Sequence, residues 1–244
     1  MIIYGKNPVI EALESDQPVN KIYIIKGKKT PFFSNLFQSA RQKGIPVREL
    51  EKNKLQELAG NSGHQGVVAV LSQVSYSEIE DIFERADEIK ESPLIAILDE
   101  IQDPHNLGAI IRSAEAFGFH GIIIPKDRAT GLTETVTKTS AGAVAHIPVV
   151  RVTNLARTID ELKKEGMWIA GTDHETKEFF YEADLNRSLG VVIGSEGKGI
   201  RPLIKKKCDF LVSIPMGGKV NSLNASVAAA IVFCEARSQR RGKR

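Results

Sequence analysis

Apolar residues fall into two rhythms along the chain. The uninterrupted runs Leu94 to Leu98, Gly121 to Ile124 and Leu189 to Ile193 are too short for helices and read as strands covered on both faces. Further strands are predicted at His146 to Val149, Trp168 to Gly171 and Phe210 to Ile214, with helices between them, giving a mostly parallel α/β domain. Upstream, helix-like Val9 to Leu13 and Asn35 to Lys43 alternate with strand-like Ile22 to Ile25, Ile45 to Val47 and Gly66 to Leu71, the pattern of a smaller α/β domain. Between the two, Ile79, Ile82, Phe83, Ala86 and Ile89 recur at helical spacing while acidic residues occupy the opposite face. The expected division is therefore residues 1–75, an acidic connector helix within 76–92, and residues 93–244.

Three polar, glycine-bearing segments interrupt the larger domain where predicted strands end. In α/β folds ligand sites form at that edge. The first runs from Asp103 to Arg112, where Pro104 and Asn106 stop the strand and open a helix with the apolar stripe Leu107, Ile110, Ile111, Ala114 and Phe117. Arg112 falls on the less apolar side, and an ion pair with Asp99, Glu100 or Asp103 is a structural explanation for it. The second, Gly194-Ser-Glu-Gly-Lys-Gly199, matches neither the Walker A nor the dinucleotide glycine pattern, and reads equally as a tight turn or as a loop whose N–H groups approach a ligand. In the third, Asn221, Ser222 and Asn224 are good caps for a helix from about Ala225 to Arg237, with Val227, Ile231 and Cys234 as one stripe and Ala225, Ala228 and Ala229 as a smooth side for a second subunit. Such a helix start also favours an anion or a polar ligand edge.

Composition narrows the function classes. The chain has 244 residues, 42% hydrophobic and 26% charged, which suits one large or two small globular domains. No apolar run is long enough to span a bilayer and no signal-peptide core is evident, so a soluble, cytoplasmic protein is expected. Cys208 and Cys234 form no metal or disulfide pattern, the five histidines show no ligand pairing, and no metal is expected. Asp173-His174-Glu175 reads as a surface loop, and Trp168 as a packed strand residue. The net charge is only +3, but residues 1–75 carry 10 basic against 6 acidic side chains and residues 76–92 carry 2 against 7. Five arginines and lysines lie in the final eight residues. Clustered positive charge suits a polyanion such as RNA, and equally a solvated surface with a basic end.

The segments Asp103-Pro-His-Asn-Leu-Gly-Ala-Ile-Ile-Arg112, Ile193-Gly-Ser-Glu-Gly-Lys-Gly199 and Ile214-Pro-Met through Ser222-Leu-Asn-Ala-Ser226 resemble, in order, the three motifs of the SpoU (TrmH-like) family of RNA ribose methyltransferases, of the SPOUT class. Tyr4-Gly-Lys-Asn-Pro-Val9 and His64-Gln-Gly-Val67 are similar to the L30e-like substrate-binding domain of its rRNA-specific members. Over the whole chain the similarity is greatest to members that methylate guanosine ribose in 23S rRNA.

This resemblance implies an α/β catalytic domain with a parallel sheet and a C-terminal trefoil knot, a homodimer, and S-adenosyl-L-methionine as cofactor. Gly194, Ile214 and Leu223 would contact the cofactor, with Thr172 a further candidate. Arg112 would act on the ribose 2′-hydroxyl, as base or as electrostatic anchor, while Asn106, Glu196, Ser222 and Asn224 arrange the site. The expected reaction is 2′-O-methylation of a guanosine in large-subunit rRNA or an assembly intermediate. A tRNA guanosine methyltransferase and a noncatalytic RNA-binding or ribosome-assembly protein on the same scaffold are the alternatives.

Overall fold

Strand β1 (Ile2–Tyr4), helix α1 (Lys6–Glu14), β2 (Val19–Ile25), α2 (Pro31–Gln42), β3 (Val47–Leu50), α3 (Lys52–Ala59) and β4 (Val67–Leu71) build a sheet in the order β1-β4-β2-β3. They belong to a computed structural model that describes residues 2–14, 19–28, 30–71, 75–219 and 222–242. Strand β4 is antiparallel to β1 and β2, whereas β2 and β3 are parallel. Pro31 opens α2 at a position where a missing N–H costs nothing, and the helix turns Phe33, Leu36 and Ala40 onto the sheet beside Val9 and Leu13. Helix α3 covers the other face through Leu55 and Ala59 against Val68. The predicted strand Ile45 to Val47 begins two residues later, because the Ile45 N–H still bonds the Ala40 carbonyl at 2.8 Å and closes the end of α2.

The connector crosses onto the second sheet. Ser77 donates from its backbone to Val149 at 2.9 Å. Glu78 and Asp81 then form a reciprocal cap for α4 (Ile79–Glu88), whose Ile82 and Ala86 are buried. The larger sheet comprises β5 (Leu94–Leu98), β6 (Gly121–Pro125), β7 (Val149–Val152), β8 (Trp168–Thr172), β9 (Leu189–Ile193) and β10 (Phe210–Val212), in the order β10-β8-β9-β5-β6-β7. Every pair is parallel. Parity along β5 explains its unbroken hydrophobicity. Leu94, Ala96 and Leu98 face α5 (Pro104–Ala116), α6 (Glu134–Thr139) and α9 (Ala225–Arg241), while Ile95 and Ile97 face α4, α7 (Leu155–Lys164) and α8 (Pro202–Lys205).

Three expectations change. The strand predicted at His146 to Val149 starts only at Val149, since Ala143–Ala145 winds into a 3-10 turn and Pro148 lacks a ladder donor. In α9 the stripes exchange places: Ala225, Ala229, Val232, Phe233 and Ala236 form the core face, leaving Val227 47% exposed and Cys234 exposed. The alanines let α9 lie close against α5, so their smooth side belongs to the chain's own core. Trp168 is 48% exposed, with the Arg187 guanidinium 4.5 Å from its ring centre. No helix among the described residues is long and apolar enough to cross a membrane.

His120, 1% exposed, joins the connector to the larger sheet. Its Nδ1 accepts from Leu94 N–H at 2.9 Å, so the neutral ring carries its proton on Nε2, 3.7 Å from Glu91 Oε2. Burial, with nearby Arg240, pushes its pKa from 6.5 to about 4, against the pull of Glu91. The folded protein therefore resists a proton that the unfolded chain accepts. This contribution to stability is intact above pH 6.5 and is lost as pH falls toward 4, on the order of 3 kcal/mol in all. Urea unfolding across that window should show a smaller loss for His120→Gln than for the wild type; equal losses would contradict the assignment.

Candidate active site

The carboxyl ends of the four strands β5, β9, β8 and β10 are stitched together by residues at and just beyond those ends. Asp99 N–H bonds the Ile193 carbonyl at 2.8 Å, Thr172 Oγ1 bonds the Val192 carbonyl at 3.1 Å, and Asp173 N–H bonds the Val212 carbonyl at 2.9 Å. All three polar segments emerge at this edge.

After β9 the chain folds into a minimal hairpin. Ser195 and Gly199 exchange backbone hydrogen bonds of 3.1 and 2.9 Å, and Gly197 and Gly199 take positive φ angles of 77° and 64°. Gly194 has a different constraint: a Cβ there would sit 2.1 Å from the Gly199 carbonyl carbon, so no other residue fits. The hairpin is anchored beneath by Asp99, which is fully buried. Its carboxylate accepts from Arg201 N–H at 2.8 Å and from Arg201 Nε at 2.7 Å, and holds that guanidinium above its ordinary pKa.

Asp103 caps α5 through His105 N–H at 2.9 Å, and Asn224 caps α9 by accepting from Ser226 N–H at 2.9 Å and Val227 N–H at 3.4 Å. Asn106 and Asn224 thus stand side by side at two helix starts, with Asn224 Nδ2 donating to Asn106 Oδ1 at 2.9 Å. Glu196, at the hairpin tip, completes the cluster. Its Oε1 accepts from Asn106 Nδ2 at 2.9 Å, from Asn224 Nδ2, and from Ala225 N–H at 3.3 Å. Its Oε2 makes no hydrogen bond among the described residues.

Beside this cluster lies a pocket of about 310 Å³. Thr172, Gly194, Ile214 and Leu223 all line it, as do Glu196 and Ser222. Ile193, Val212, Met216 and Ala228 supply apolar wall, and Gly194 to Ile200 supplies backbone. The chemistry suits a flat, largely apolar ligand with a few polar edges. Asp173, His174 and Glu175, predicted to form an uninvolved surface loop, line the same pocket, where Lys205 pairs with Asp173 and lies 3.5 Å from Glu175. Their position immediately after Thr172, at the end of a parallel strand, is the sequence signal for that placement.

Arg112 stands apart. Asp99 is committed to Arg201, Glu100 lies 3.3 Å from Arg128 and 3.6 Å from Arg201, and Asp103 caps α5, so the expected structural ion pair does not form. Arg112 is exposed and unpaired among the described residues. It lies about 9 Å along α5 from Asn106, rotated roughly a third of a turn off its face, and does not line the pocket. Asn221 lies outside the described residues.

The SpoU rRNA Methylase family profile matches residues 93–234, and a profile described as RNA 2′-O ribose methyltransferase substrate binding matches residues 2–77. Bacillus subtilis YacO, assigned by name to the TrmH family of tRNA/rRNA methyltransferases, is 48% identical over 96% of this chain and 93% of its own. This chain belongs to the SpoU family of RNA 2′-O-ribose methyltransferases. Among solved structures, the SpoU methyltransferase AviRb from Streptomyces viridochromogenes, in complex with AdoMet, superposes with a TM-score of 0.64 and 26% identity, covering 99% of this chain and 91% of that one. The A. aeolicus TrmH/SpoU tRNA modifying enzyme gives a TM-score of 0.58 and 28% identity, covering 67% of this chain and 85% of that one.

The methyltransferase should be unusually sensitive at one glycine. Gly194→Ala must displace the Gly199–Ile200 backbone and is expected to cost about 2–4 kcal/mol in urea unfolding. Gly197→Ala meets no atom within 4 Å and bears only left-handed backbone strain of about 1 kcal/mol. Equal costs at the two sites would show that the Gly194 approach is not a packing constraint.

Proposed function

We propose that the protein transfers a methyl group from S-adenosyl-L-methionine to the 2′-oxygen of a guanosine ribose in 23S rRNA, working as a homodimer. The observation that carries the reading is the convergence of Asn106, Glu196 and Asn224, one from each polar segment, beside a pocket lined by Thr172, Gly194, Ile214 and Leu223. The pocket fits the cofactor in chemical character: aliphatic walls for an adenosine and for the carbon chain beside the sulfonium, and a glycine-rich backbone able to approach closely. When bound, the cofactor supplies a methyl group made electrophilic by its sulfonium. The AdoMet complex of AviRb supports the choice.

Asn106 and Asn224 fix Glu196, whose Oε2 is left to orient an incoming hydroxyl or base edge. The starts of α5 and α9 favour the substrate's negative charge. Arg112 brings a guanidinium, a planar cation with five donors and no acceptor, which suits stabilising the developing alkoxide or gripping the neighbouring phosphate better than removing a proton. Because Arg112 does not reach the pocket of its own chain, it serves the partner's pocket. The exposed Val227, on the helix packed beside α5, supports a subunit interface there. We also read residues 1–75 as an L30e-like RNA-binding domain, 76–92 as the connector and 93–244 as the catalytic domain. The passage of the Gly194–Gly199 loop and the following chain is taken as a trefoil knot, consistent with the close Gly194–Gly199 approach.

Large-subunit rRNA is favoured over tRNA by the SpoU rRNA Methylase profile at residues 93–234 and by the separate substrate-binding profile at residues 2–77, whereas the A. aeolicus tRNA modifying enzyme spans only 67% of the chain. Mapping 2′-O-methyl positions in rRNA and tRNA from cells with and without the protein should show one 23S guanosine losing its mark. A lost tRNA mark would instead establish the tRNA alternative.

For the subunit arrangement, Arg112→Ala and Glu196→Ala homodimers should each lose at least about 100-fold in turnover. A heterodimer of the two keeps one intact site if Arg112 acts across the interface, and should recover about half of wild-type turnover. An inactive heterodimer would place Arg112 in its own chain's site. Arg112→Lys, retaining the charge, should keep more RNA affinity than Arg112→Ala.

A further inference from the structure

We propose that the cleft between α2 and the start of α5 is a nucleobase site, in which Phe37 gives a stacking face to an unstacked base of the substrate RNA and Arg41 holds the adjoining phosphate. The proposal rests on the RNA-methylating reading above and adds to it a place and residues for substrate recognition.

The cleft, about 690 Å³, has one wall from each sheet region: Phe37, Gln38, Arg41 and Pro46 on one side, Pro104 and Thr133 on the other. Contacts beside it join the two walls. Gly44 takes φ of 65°, with the Thr130 Cα only 3.0 Å from where its Cβ would be, and Lys21 lies 3.4 Å from Glu134 across the same junction. Helix α2 spends Phe33, Leu36 and Ala40 on its own core, leaving Phe37 41% exposed with no aromatic partner among the described residues. Arg41 is one helical turn further on, so both side chains project from the same side.

Three features select the occupant. First, an aromatic face, a guanidinium, an amide and the Thr135 hydroxyl are the groups that read unstacked RNA bases, by stacking and by hydrogen bonds to base edges. Second, the charge is complementary to a phosphodiester. No carboxylate lines the cleft, Arg41 has no ion pair among the described residues, and nearby Glu134 is balanced by Lys21 and by Lys138 at 2.7 Å. Third, the cleft lies close to the site. Pro104 is two residues ahead of Asn106, about 3 Å of helix rise but on the opposite side of the first turn of α5, and Asn106 bonds Glu196. A base held against Phe37 would therefore belong to a nucleotide flanking the one whose ribose reaches the Asn106–Glu196–Asn224 cluster, with the strand passing around the start of α5. A hydrophobic peptide or a second copy of the chain would leave the Arg41 charge unanswered.

The test uses the full-length protein and fluorescein-labelled single-stranded oligoribonucleotides of mixed sequence. Phe37→Ala should weaken binding about tenfold or more, and Arg41→Ala should lower the slope of log affinity against log salt by about one. S-adenosyl-L-methionine affinity, read by calorimetry, should stay unchanged in both variants. Phe37→Trp in a Trp168→Phe background should bind unlabelled RNA like the wild type and show quenching of its single tryptophan in the complex, the signature of stacking. Binding by Phe37→Ala within about twofold of wild type, or unquenched fluorescence from the introduced tryptophan in the complex, overturns the proposal. A Phe37→Ala protein with intact RNA binding but altered sedimentation assigns the cleft to a second copy and overturns it equally. Phe37-dependent binding by a protein that methylates no RNA would sink the functional reading and leave the base site standing.

Discussion

One carboxylate oxygen, Glu196 Oε1, accepts hydrogen bonds from Asn106, Asn224 and the backbone of Ala225, and so ties together three stretches of chain that are remote in sequence. Hydrogen bonds to a carboxylate are stronger than those between neutral groups, and three converging on one atom fix it in direction as well as place. The tie works only because each member is held from behind. Asn224 is immobilised by capping α9, Asn106 by the first turn of α5, and Glu196 by a hairpin that only Gly194 permits. Below that hairpin the buried Asp99–Arg201 pair locks its exit to the end of β5. Removing Arg201 would leave the fully buried Asp99 carboxylate without its countercharge, a much larger penalty than the pair's own net worth, whereas Arg201 is a third exposed and keeps Glu100 at 3.6 Å.

The parallel sheet explains why all of this occurs at one edge. Strands covered by helices on both faces must be apolar throughout, so polar chemistry is expelled to their ends, and parallel strands put all their carboxyl ends on the same side. Short strands such as β10 reach that edge and stop, passing the chain directly into Ile214 and Met216 of the pocket. The alanine face of α9 has a related role. By allowing close contact with α5, it brings two helix starts together, and with them Asn106 and Asn224.

Much of this is legible in the sequence for reasons that can be stated. Strands β5 and β9 are bounded to the residue because doubly buried strands have an all-apolar signature that ends sharply at Asp99 and Gly194. The residues expected around a cofactor gather on one pocket because their order after successive strands encodes their position. What escapes the sequence does so for equally specific causes. Helix α3 has only Leu55 and Ala59 buried, too little periodicity to register, and β1 is a three-residue edge strand. The two faces of α9 exchange because the core face joins Val232 and Phe233 to the alanines Ala225, Ala229 and Ala236, which pack closely against α5 but carry little weight on a hydrophobicity scale beside Val227 and Ile231. Asp99 cannot be recognised as the partner of Arg201 from sequence, since the pair exists only once β9 lies beside β5.

Arg112 carries the remaining argument. Every other expected site residue on a described position is either in the Glu196 cluster or on the pocket wall, while Arg112 is exposed, unpaired and turned away from both. An exposed arginine has no special chemistry, because water screens its charge. The same guanidinium covered by a second subunit loses that screening, and its interaction with an RNA phosphate or a developing alkoxide strengthens accordingly. Dimerisation in the proposed arrangement is thus what would convert Arg112 from a surface charge into part of a site. It would also make turnover conditional on assembly, since a lone chain can gather the pocket and the Glu196 cluster but cannot bring its own Arg112 to them.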